Sequence, residues 1–378
     1  MKRVAVVVPK YGLVGGGERF AFELTERLSL DGRYELHVFA NRWESSSPEI
    51  FLHKVPMVRF PRSLRPLSFA WAAGWMIARG TFDIVHAHER IFRADLFSMH
   101  AVPHAGWVRD VRRKRLSLFD RATIGLERCM MASAARSFFL PVSNLAAEAL
   151  RREYPVDPAR IRIVPPGVDA ERFAGPDRAA CRAEIRSRHG IGESDFLVLF
   201  VGMNFEVKGL DALISAVAKA RRALPSAGVR LLVLGKGNVG KYEALARSHG
   251  IADAVVFTGP IARGIERYYR AADVFAMLSK FDTFGMAVLE AMAAGLPVIV
   301  SARVGAKDVV ENGVNGFVLP DPWGDDVAGA IAAMADPGVR SRFGEEAQRT
   351  AARFTWERMA EEVARLYDMV IESRAAMS

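Results

Sequence analysis

Asp282 and Glu290 are the residues whose types and spacing most directly suggest chemistry in this 378-residue chain. They bracket Asp-Thr-Phe-Gly-Met-Ala-Val-Leu-Glu, and Ala-Met-Ala-Ala-Gly-Leu-Pro follows. The stretch Gly285 to Ala294 is rich in helix formers and runs into Gly295 and Pro297, which stop helices, so a helix opening at Gly285 is predicted. The unbonded N–H groups of Gly285, Met286 and Ala287 would face outward with the positive end of the helix dipole, behind Phe284. That end suits a phosphate. Glu290, a little over one turn inside, is placed to accept hydrogen bonds from sugar hydroxyls beside such a phosphate. A buried amphipathic helix whose Glu caps a neighbour accounts for the same residues.

Other constellations extend the phosphate theme. Gly15-Gly16-Gly17 follows the first apolar run and opens a helix-patterned stretch. Glycines there let a main chain approach a phosphate unobstructed, and serve equally in a tight strand-to-helix turn. Lys208, in Val201-Gly202-Met203-Asn204-Phe205-Glu206-Val207-Lys208-Gly209, stands between a strand and a helix, where an ammonium can neutralise a departing diphosphate. Ser98-Met99-His100 ends a predicted strand, and His86, His88 and His104 compete with His100 for any role. Glu89 and Arg90 are placed to reach an acceptor.

Gly235-Lys236-Gly237-Asn238-Val239-Gly240 matches G-x-G-x-x-G after a strand. The next strand, Val255-Val256-Phe257-Thr258-Gly259, lacks the acidic residue that a dinucleotide ribose requires, so the pattern argues only weakly for NAD. A turn bordering a nucleotide pocket fits better, with Gly235 near the base or ribose. Thr258 to Arg263 would form another edge, lining the base through backbone groups near Ile261. The sequence has no Asp-x-Asp pair, no His/Cys metal spacing, no Gly-x-Ser-x-Gly elbow and no Walker lysine. A bound metal or other cofactor is therefore not expected; a helix N-terminus and Lys208 must carry the diphosphate charge.

The elements that must position these residues alternate between strand and helix, the pattern of parallel α/β sheets. First-half strands are predicted at Val4–Val8, Glu35–Ala40, Ile84–Ala87, Leu96–Met99, Ser137–Leu140 and Ile161–Val164. A second set follows at Leu197–Val201, Leu231–Leu234, Val255–Phe257, Val274–Leu278 and Val298–Val300. A helix starts near Gly17 and carries Phe20, Leu24 and Leu28 at helical spacing. Val164-Pro165-Pro166-Gly167-Val168-Asp169 reads as a stiff turn between domains. The chain thus divides into a domain over 1–165, a second over 166–352, and a C-terminal helical tract over 353–378. Ligands in such sheets bind beyond the carboxyl ends of strands, so two facing domains would place their sites on opposite walls of one cleft.

Half the residues are hydrophobic and a quarter charged, as in a globular protein of two ordinary domains. The apolar run Val4–Val8 is too short for a signal peptide or membrane span. Two cysteines, Cys129 and Cys181, make no disulfide framework and suit a reducing cytosol. The net charge of +9 is uneven: residues 1–165 hold 26 Lys/Arg against 16 Asp/Glu, and the remainder is nearly balanced. A basic first half predicts a polyanion or an anionic membrane surface as partner. The excess concentrates in Trp107 to Arg115, followed by Leu116, Leu118 and Phe119, a composition that suits a lipid headgroup layer and also a solvated charged loop. Nucleic acid is not expected, since zinc spacing, RNA-binding aromatic motifs and helix-turn-helix patterning are all missing.

The Asp282…Glu290 segment resembles the acidic-x7-acidic motif of retaining glycosyltransferases of family 4, which have the two-domain GT-B fold. The resemblance covers nearly the whole chain. It implies that Glu290 holds the ribose of a nucleotide-sugar, that Asp282 touches the donor sugar, and that the intervening amides hold the diphosphate. Asp282 stands where Glu is more usual. Lys10-Tyr11…Gly15-Gly16…Glu18-Arg19 is similar to the start of the glucosyltransferases that build the lipopolysaccharide inner core. That likeness implies donor contacts at Gly15 and Gly16, with Lys10 and Arg19 as weaker candidates; Arg263, at the Thr258–Arg263 pocket edge, is another. Lys208 matches the second basic residue of the family's diphosphate-binding element; Met203 and Val207 stand where the first is often Arg, leaving Arg19 or Arg303 to supply it. His100 matches a histidine that hydrogen-bonds the donor sugar near its reacting carbon.

The resemblance therefore implies a retaining, metal-independent transfer of a hexose-type sugar from a nucleotide diphosphate sugar, UDP favoured, to a glycan or glycolipid hydroxyl. The setting implied is lipopolysaccharide or other cell-surface polysaccharide biosynthesis, in the cytoplasm or on the inner face of the inner membrane. A C-terminal helix crossing back onto the first domain is also implied. A non-hydrolysing nucleotide-sugar epimerase and a catalytically silent nucleotide-sugar-binding protein remain as alternatives.

Overall fold

A computed structural model of the chain describes residues 1–12, 15–44 and 47–376. It forms two compact units, Met1–Gly167 with Trp356–Ser378, and Val168–Thr355. In the first unit the strands are β1 (Lys2–Val7), β2 (Tyr34–Ala40), β3 (Ile50–Lys54), β4 (Ile84–Ala87), β5 (Leu96–Met99) and β6 (Phe138–Pro141). They lie in the order β3-β2-β1-β4-β5-β6, all parallel. In the second unit β7 (Leu197–Met203), β8 (Arg230–Lys236), β9 (Val255–Gly259), β10 (Val274–Met277), β11 (Val298–Ser301) and β12 (Gly316–Leu319) take the order β9-β8-β7-β10-β11-β12, again parallel.

Both sheets are doubly wound, so the strand order reverses beside the first strand of each. A parallel sheet hides both faces under helices, which explains why β1, β4, β7, β10 and β11 are short runs of buried Val, Ile, Leu, Phe and Ala. The crevice at each reversal lies at the carboxyl ends of β1 and β4, and of β7 and β10. These are the places where such folds bind ligands.

The expected strand at Ile161–Val164 is not one. Ile161 makes a single bridge to Phe139, and Arg162 and Val164 donate to the carbonyls of Phe139 and Pro141 before Pro165 and Pro166, which have no N–H, end the pairing. The sixth strand of that sheet is instead the edge strand β3, partly exposed and mixed in polarity, so no apolar run marks it. In the second unit β12 is likewise an unforeseen edge strand of four residues.

The helix Trp356–Ala375 belongs to the first unit. Trp356 is buried edge-on to Phe20 of the helix Gly16–Leu30, Lys2 pairs with Asp368 at 3.0 Å, and the Tyr367 hydroxyl meets His86 Nδ1 at 2.7 Å.

Candidate functional site

In the second unit the loop after β7 carries Lys208. It is pinned at both ends: Asn204 adopts a left-handed φ of 70° and donates its N–H to the Lys236 carbonyl at the end of β8. Gly209, φ 74°, passes so close to Leu278 that a Cβ there would fall 2.0 Å from the Leu278 carbonyl oxygen. This holds Lys208 beside Asp282, which follows β10, and the Lys208 ammonium forms an ion pair with the Asp282 carboxylate. Both side chains are largely buried. Asp282 is itself fixed by its backbone: its N–H donates to the Arg303 carbonyl, and its own carbonyl accepts from Gly305.

The predicted helix forms over Met286–Ala293, with Gly285 at its N-terminus in a left-handed conformation, φ 90°. A Cβ on Gly285 would meet Val304 at 2.9 Å and stand 3.4 Å from an Asp282 carboxylate oxygen. The ammonium of Lys208, the carboxylate of Asp282 and the open end of this helix therefore share one spot. Phe284 is buried behind them with its carbonyl bonded to the Ala306 N–H, while Met286 and Ala287 stay partly exposed.

Glu290, half-buried on the same helix, accepts a hydrogen bond of 2.9 Å from the hydroxyl of buried Tyr269. Tyr269 comes from the helix Ile265–Ala271 and packs against Phe173 and Phe275. Sequence reasoning missed it; a hydroxyl on a short helix 21 residues before Glu290, with a strand between them, offers no local signal.

The second glycine loop meets a packing requirement of its own. Gly235, φ 126°, lies opposite Gly202 in the β7–β8 ladder, and a Cβ would fall 1.9 Å from the Gly202 carbonyl oxygen, so strand approach alone requires glycine. The following helix Val239–Ser248 is capped by the Asn238 side chain, which accepts from the Lys241 N–H. That N-terminus is thus occupied by the chain itself. Ile261 and Arg263 sit in the loop between β9 and the Tyr269 helix, Arg263 exposed.

In the first unit a hollow of about 380 Å³ opens where β1, β4 and β5 end. It is lined by Lys10, Gly17, Glu18, His88, Glu89 and His100 among others. Gly17 faces His100 directly, for a Cβ on it would lie 3.0 Å from the His100 side chain. Gly15 lies beside the Glu18 carboxylate and Gly16 is exposed at the helix start. Lys10 is 3.9 Å from Glu18, whereas Arg19 turns to Glu23, at 3.5 Å, and stands over the Trp356 ring. Arg90 is committed to buried Glu127 at 2.6 Å.

His100 Nε2 meets His88 Nδ1 at 3.0 Å with the rings nearly parallel, and His86 lies behind His88 with its Nε2 at 2.9 Å from Ser98. Burial lowers the pKa of His100 to about 4 and of His86 to about 3, and holds His88 well below the ordinary range. The three imidazoles are therefore neutral near pH 7, each able to donate one hydrogen bond and accept another.

The Trp107–Arg115 segment begins with one wide helical turn, Trp107–Arg112, closed by Arg113 in a left-handed conformation. Arg109 pairs with Asp110 and Glu153, and Arg112 with buried Asp120 at 2.7 Å. Arg113, Lys114, Arg115, Leu116, Leu118 and Phe119 are exposed. Among the described residues no helix is long and apolar enough to cross a membrane, and no group of three His, Cys, Asp or Glu side chains is arranged to hold a metal ion.

Comparison with known proteins agrees with this architecture. Residues 182–350 match the family described as glycosyl transferases group 1, and residues 14–172 match glycosyltransferase family 4. The D-inositol 3-phosphate glycosyltransferase of Xylanimonas cellulosilytica is 31% identical over 97% of this chain and 95% of its own. Among solved structures, WaaG, a glycosyltransferase involved in lipopolysaccharide biosynthesis, superposes with a TM-score of 0.80 at 22% identity, covering 96% of this chain and 99% of that one. Anabaena HepE in complex with UDP-glucose superposes at 0.74 and 17% identity, covering 98% and 100%. Two Rossmann-like parallel sheets, a C-terminal helix returned to the first of them and matches spanning both units make this chain a member of the family 4, group 1 glycosyltransferases, with the GT-B fold.

Proposed function

We propose that this protein transfers a hexose-type sugar from a UDP-sugar to an acceptor hydroxyl with retention of anomeric configuration and without a metal ion. The observation that carries this reading is the Lys208–Asp282 ion pair at the open end of the Met286–Ala293 helix. Charge grows on the leaving diphosphate as the bond from the sugar carbon to phosphate oxygen breaks. The Lys208 ammonium and the amides at Gly285 to Ala287 neutralise that charge, and Arg303, whose carbonyl anchors Asp282, supplies a further cation. The acceptor oxygen bonds to the same carbon from the same face and passes its proton to the departing phosphate. Glu290, aligned by Tyr269, holds the ribose hydroxyls; Asp282 holds the donor sugar; neutral His100 donates to the sugar near the reacting carbon.

The acceptor is anionic or membrane-borne. Several relatives, including the Xylanimonas protein, are named for D-inositol 3-phosphate, which favours a soluble phosphorylated polyol. The exposed Arg113–Phe119 stretch favours instead a glycolipid at an anionic bilayer, as in lipopolysaccharide or other cell-surface polysaccharide assembly. Offering D-inositol 3-phosphate and a lipid-linked glycan in vesicles side by side decides between them.

Lys208→Ala and Glu290→Ala are each expected to lower transfer and donor hydrolysis by about 10²–10³-fold with an unchanged circular dichroism spectrum. Wild-type rates in both would refute the site. Product analysis separates the alternatives, because an epimerase would release altered sugar without acceptor and a silent binder would be stabilised by UDP without turnover.

A further inference from the structure

We propose that the second unit carries an anion site at the amino-terminal edge of its sheet, distinct from the donor site and built for a phosphate-class ligand, either pyrophosphate or a phosphate monoester. A hollow of about 320 Å³ lies there, lined by the guanidinium groups of Arg178, Arg182, Arg270 and Arg340. Asp273 and Gly295, which also line it, precede β10 and β11, whereas Lys208 and Asp282 follow β7 and β10 at the opposite edge.

The helix Arg178–Arg188 carries arginine at positions 178, 182 and 186. Four-residue spacing stacks them on one face, where like charges repel. That face is turned inward rather than to water: Arg186 is buried and Arg178 and Arg182 are partly so. Arg270 and Arg340 approach from two other helices. Against these five cations stands one buried carboxylate, Asp273, bonded to Arg182 at 2.8 Å and Arg186 at 2.7 Å, with Arg340 at 3.6 Å. The other carboxylate in the lining, Glu345, is exposed at the rim, near Arg349 and hydrogen-bonded by Ser341.

The guanidinium groups are also held in place. Arg178 donates to the Ala272 carbonyl at 3.2 Å, Arg270 to Pro176 and Ala294, and Arg340 to Met334 and Ala335. These bonds fix orientation, and because most of the carbonyls end helices they offset the positive charge only in part, through the helix dipoles. Burial, together with Arg182 and Arg270, depresses the Arg178 pKa. Fixed, partly dehydrated guanidinium forks that outnumber the one buried carboxylate and face one hollow are the arrangement that binds phosphate oxygens in pairs. The cavity has room for a ligand of roughly sugar-phosphate size.

The test is calorimetric titration of pyrophosphate, at constant ionic strength, into the full-length wild type, Lys208→Ala and Arg178→Gln. Saturable binding is expected to persist in Lys208→Ala, and in Arg178→Gln the phase that Lys208→Ala retains is expected to weaken at least tenfold, leaving only binding at the proposed donor site. Binding lost in Lys208→Ala but intact in Arg178→Gln would place the anion at the donor site and overturn the proposal. Absence of saturable binding to all three would overturn it too. Arg178→Lys, which keeps the charge but loses the fork, serves if the glutamine variant fails to fold, and should weaken binding severalfold; unchanged affinity would count against the site. Repeating the titration with hexose 6-phosphate distinguishes a monoester from a diphosphate ligand. Because Lys208→Ala abolishes the proposed donor site, failure of that reading and of this one give different patterns.

Discussion

At the scale of single residues, the proposed donor side rests on contacts that fix charge rather than merely supply it. The backbone around Lys208 is held between a strand end and the Leu278 carbonyl beside Gly209, and Asp282 holds its ammonium at the helix mouth. Tyr269 does the same for Glu290. Tyr269→Phe deletes one hydrogen bond to a charged acceptor and leaves the packing, so we expect KM for the donor to rise roughly tenfold, corresponding to about 1.5 kcal/mol. Initial-rate kinetics at fixed acceptor check this, and an unchanged KM would remove Tyr269 from the binding network. Gly285→Ala should be more damaging than its size suggests. A methyl there meets Val304 at 2.9 Å in a backbone conformation that L-residues rarely adopt, so both melting temperature and turnover should fall.

At the scale of elements, neighbouring strand ends and one distant helix build the histidine cluster of the first unit. His86 lies in β4, His88 just after it and His100 just after β5, and Tyr367 reaches His86 from the C-terminal helix. These imidazoles are held neutral in the fold, with His100 near 4 and His86 near 3 against an ordinary 6.5. Between those values the unfolded chain binds protons that the folded unit refuses. Stability therefore rises with pH across that window and is lost as pH falls through it. Urea midpoints between pH 4 and 7 should show this slope, and His86→Gln should flatten it even while lowering the plateau. An unaltered slope would mean other groups carry it. Trp356, buried against Phe20, anchors the returning helix; Trp356→Ala should cost about 3–5 kcal/mol of stability by chemical denaturation.

At the scale of the molecule, the charge is divided by unit. The surplus of Lys and Arg lies in the first unit, and its most basic segment is only partly free for a partner. Arg109 and Arg112 are spent on Glu153 and Asp120, which leaves Arg113, Lys114 and Arg115 beside exposed Leu116, Leu118 and Phe119. Neutralising those three should weaken co-sedimentation with anionic vesicles by on the order of a hundredfold, at about 1 kcal/mol for each cation near the surface. Equal sedimentation of variant and wild type would dismiss the bilayer and leave a soluble phosphorylated acceptor.

Much of the fold was legible because its signals are local. Buried parallel strands are short apolar runs, helices between them carry their own stops, and the Asp282–Glu290 stretch announces a helix opening on glycine. Edge strand β3 escaped notice because it is partly exposed and its apolar run gives way to His53 and Lys54, and β12 because Gly-Phe-Val-Leu is only four residues long. The sequence alone determined the doubly wound class, the helix at Gly285 and the uneven charge, since each is written in neighbouring residues. Only the tertiary structure decided which of those residues meet. The Lys208–Asp282 pair, the Tyr269 hydroxyl on Glu290, the face of Gly17 against His100 and the pairing of Arg182 and Arg186 with Asp273 all join positions separated by 21 to 91 residues. Such contacts follow from how strands order themselves in a sheet, which no local pattern encodes.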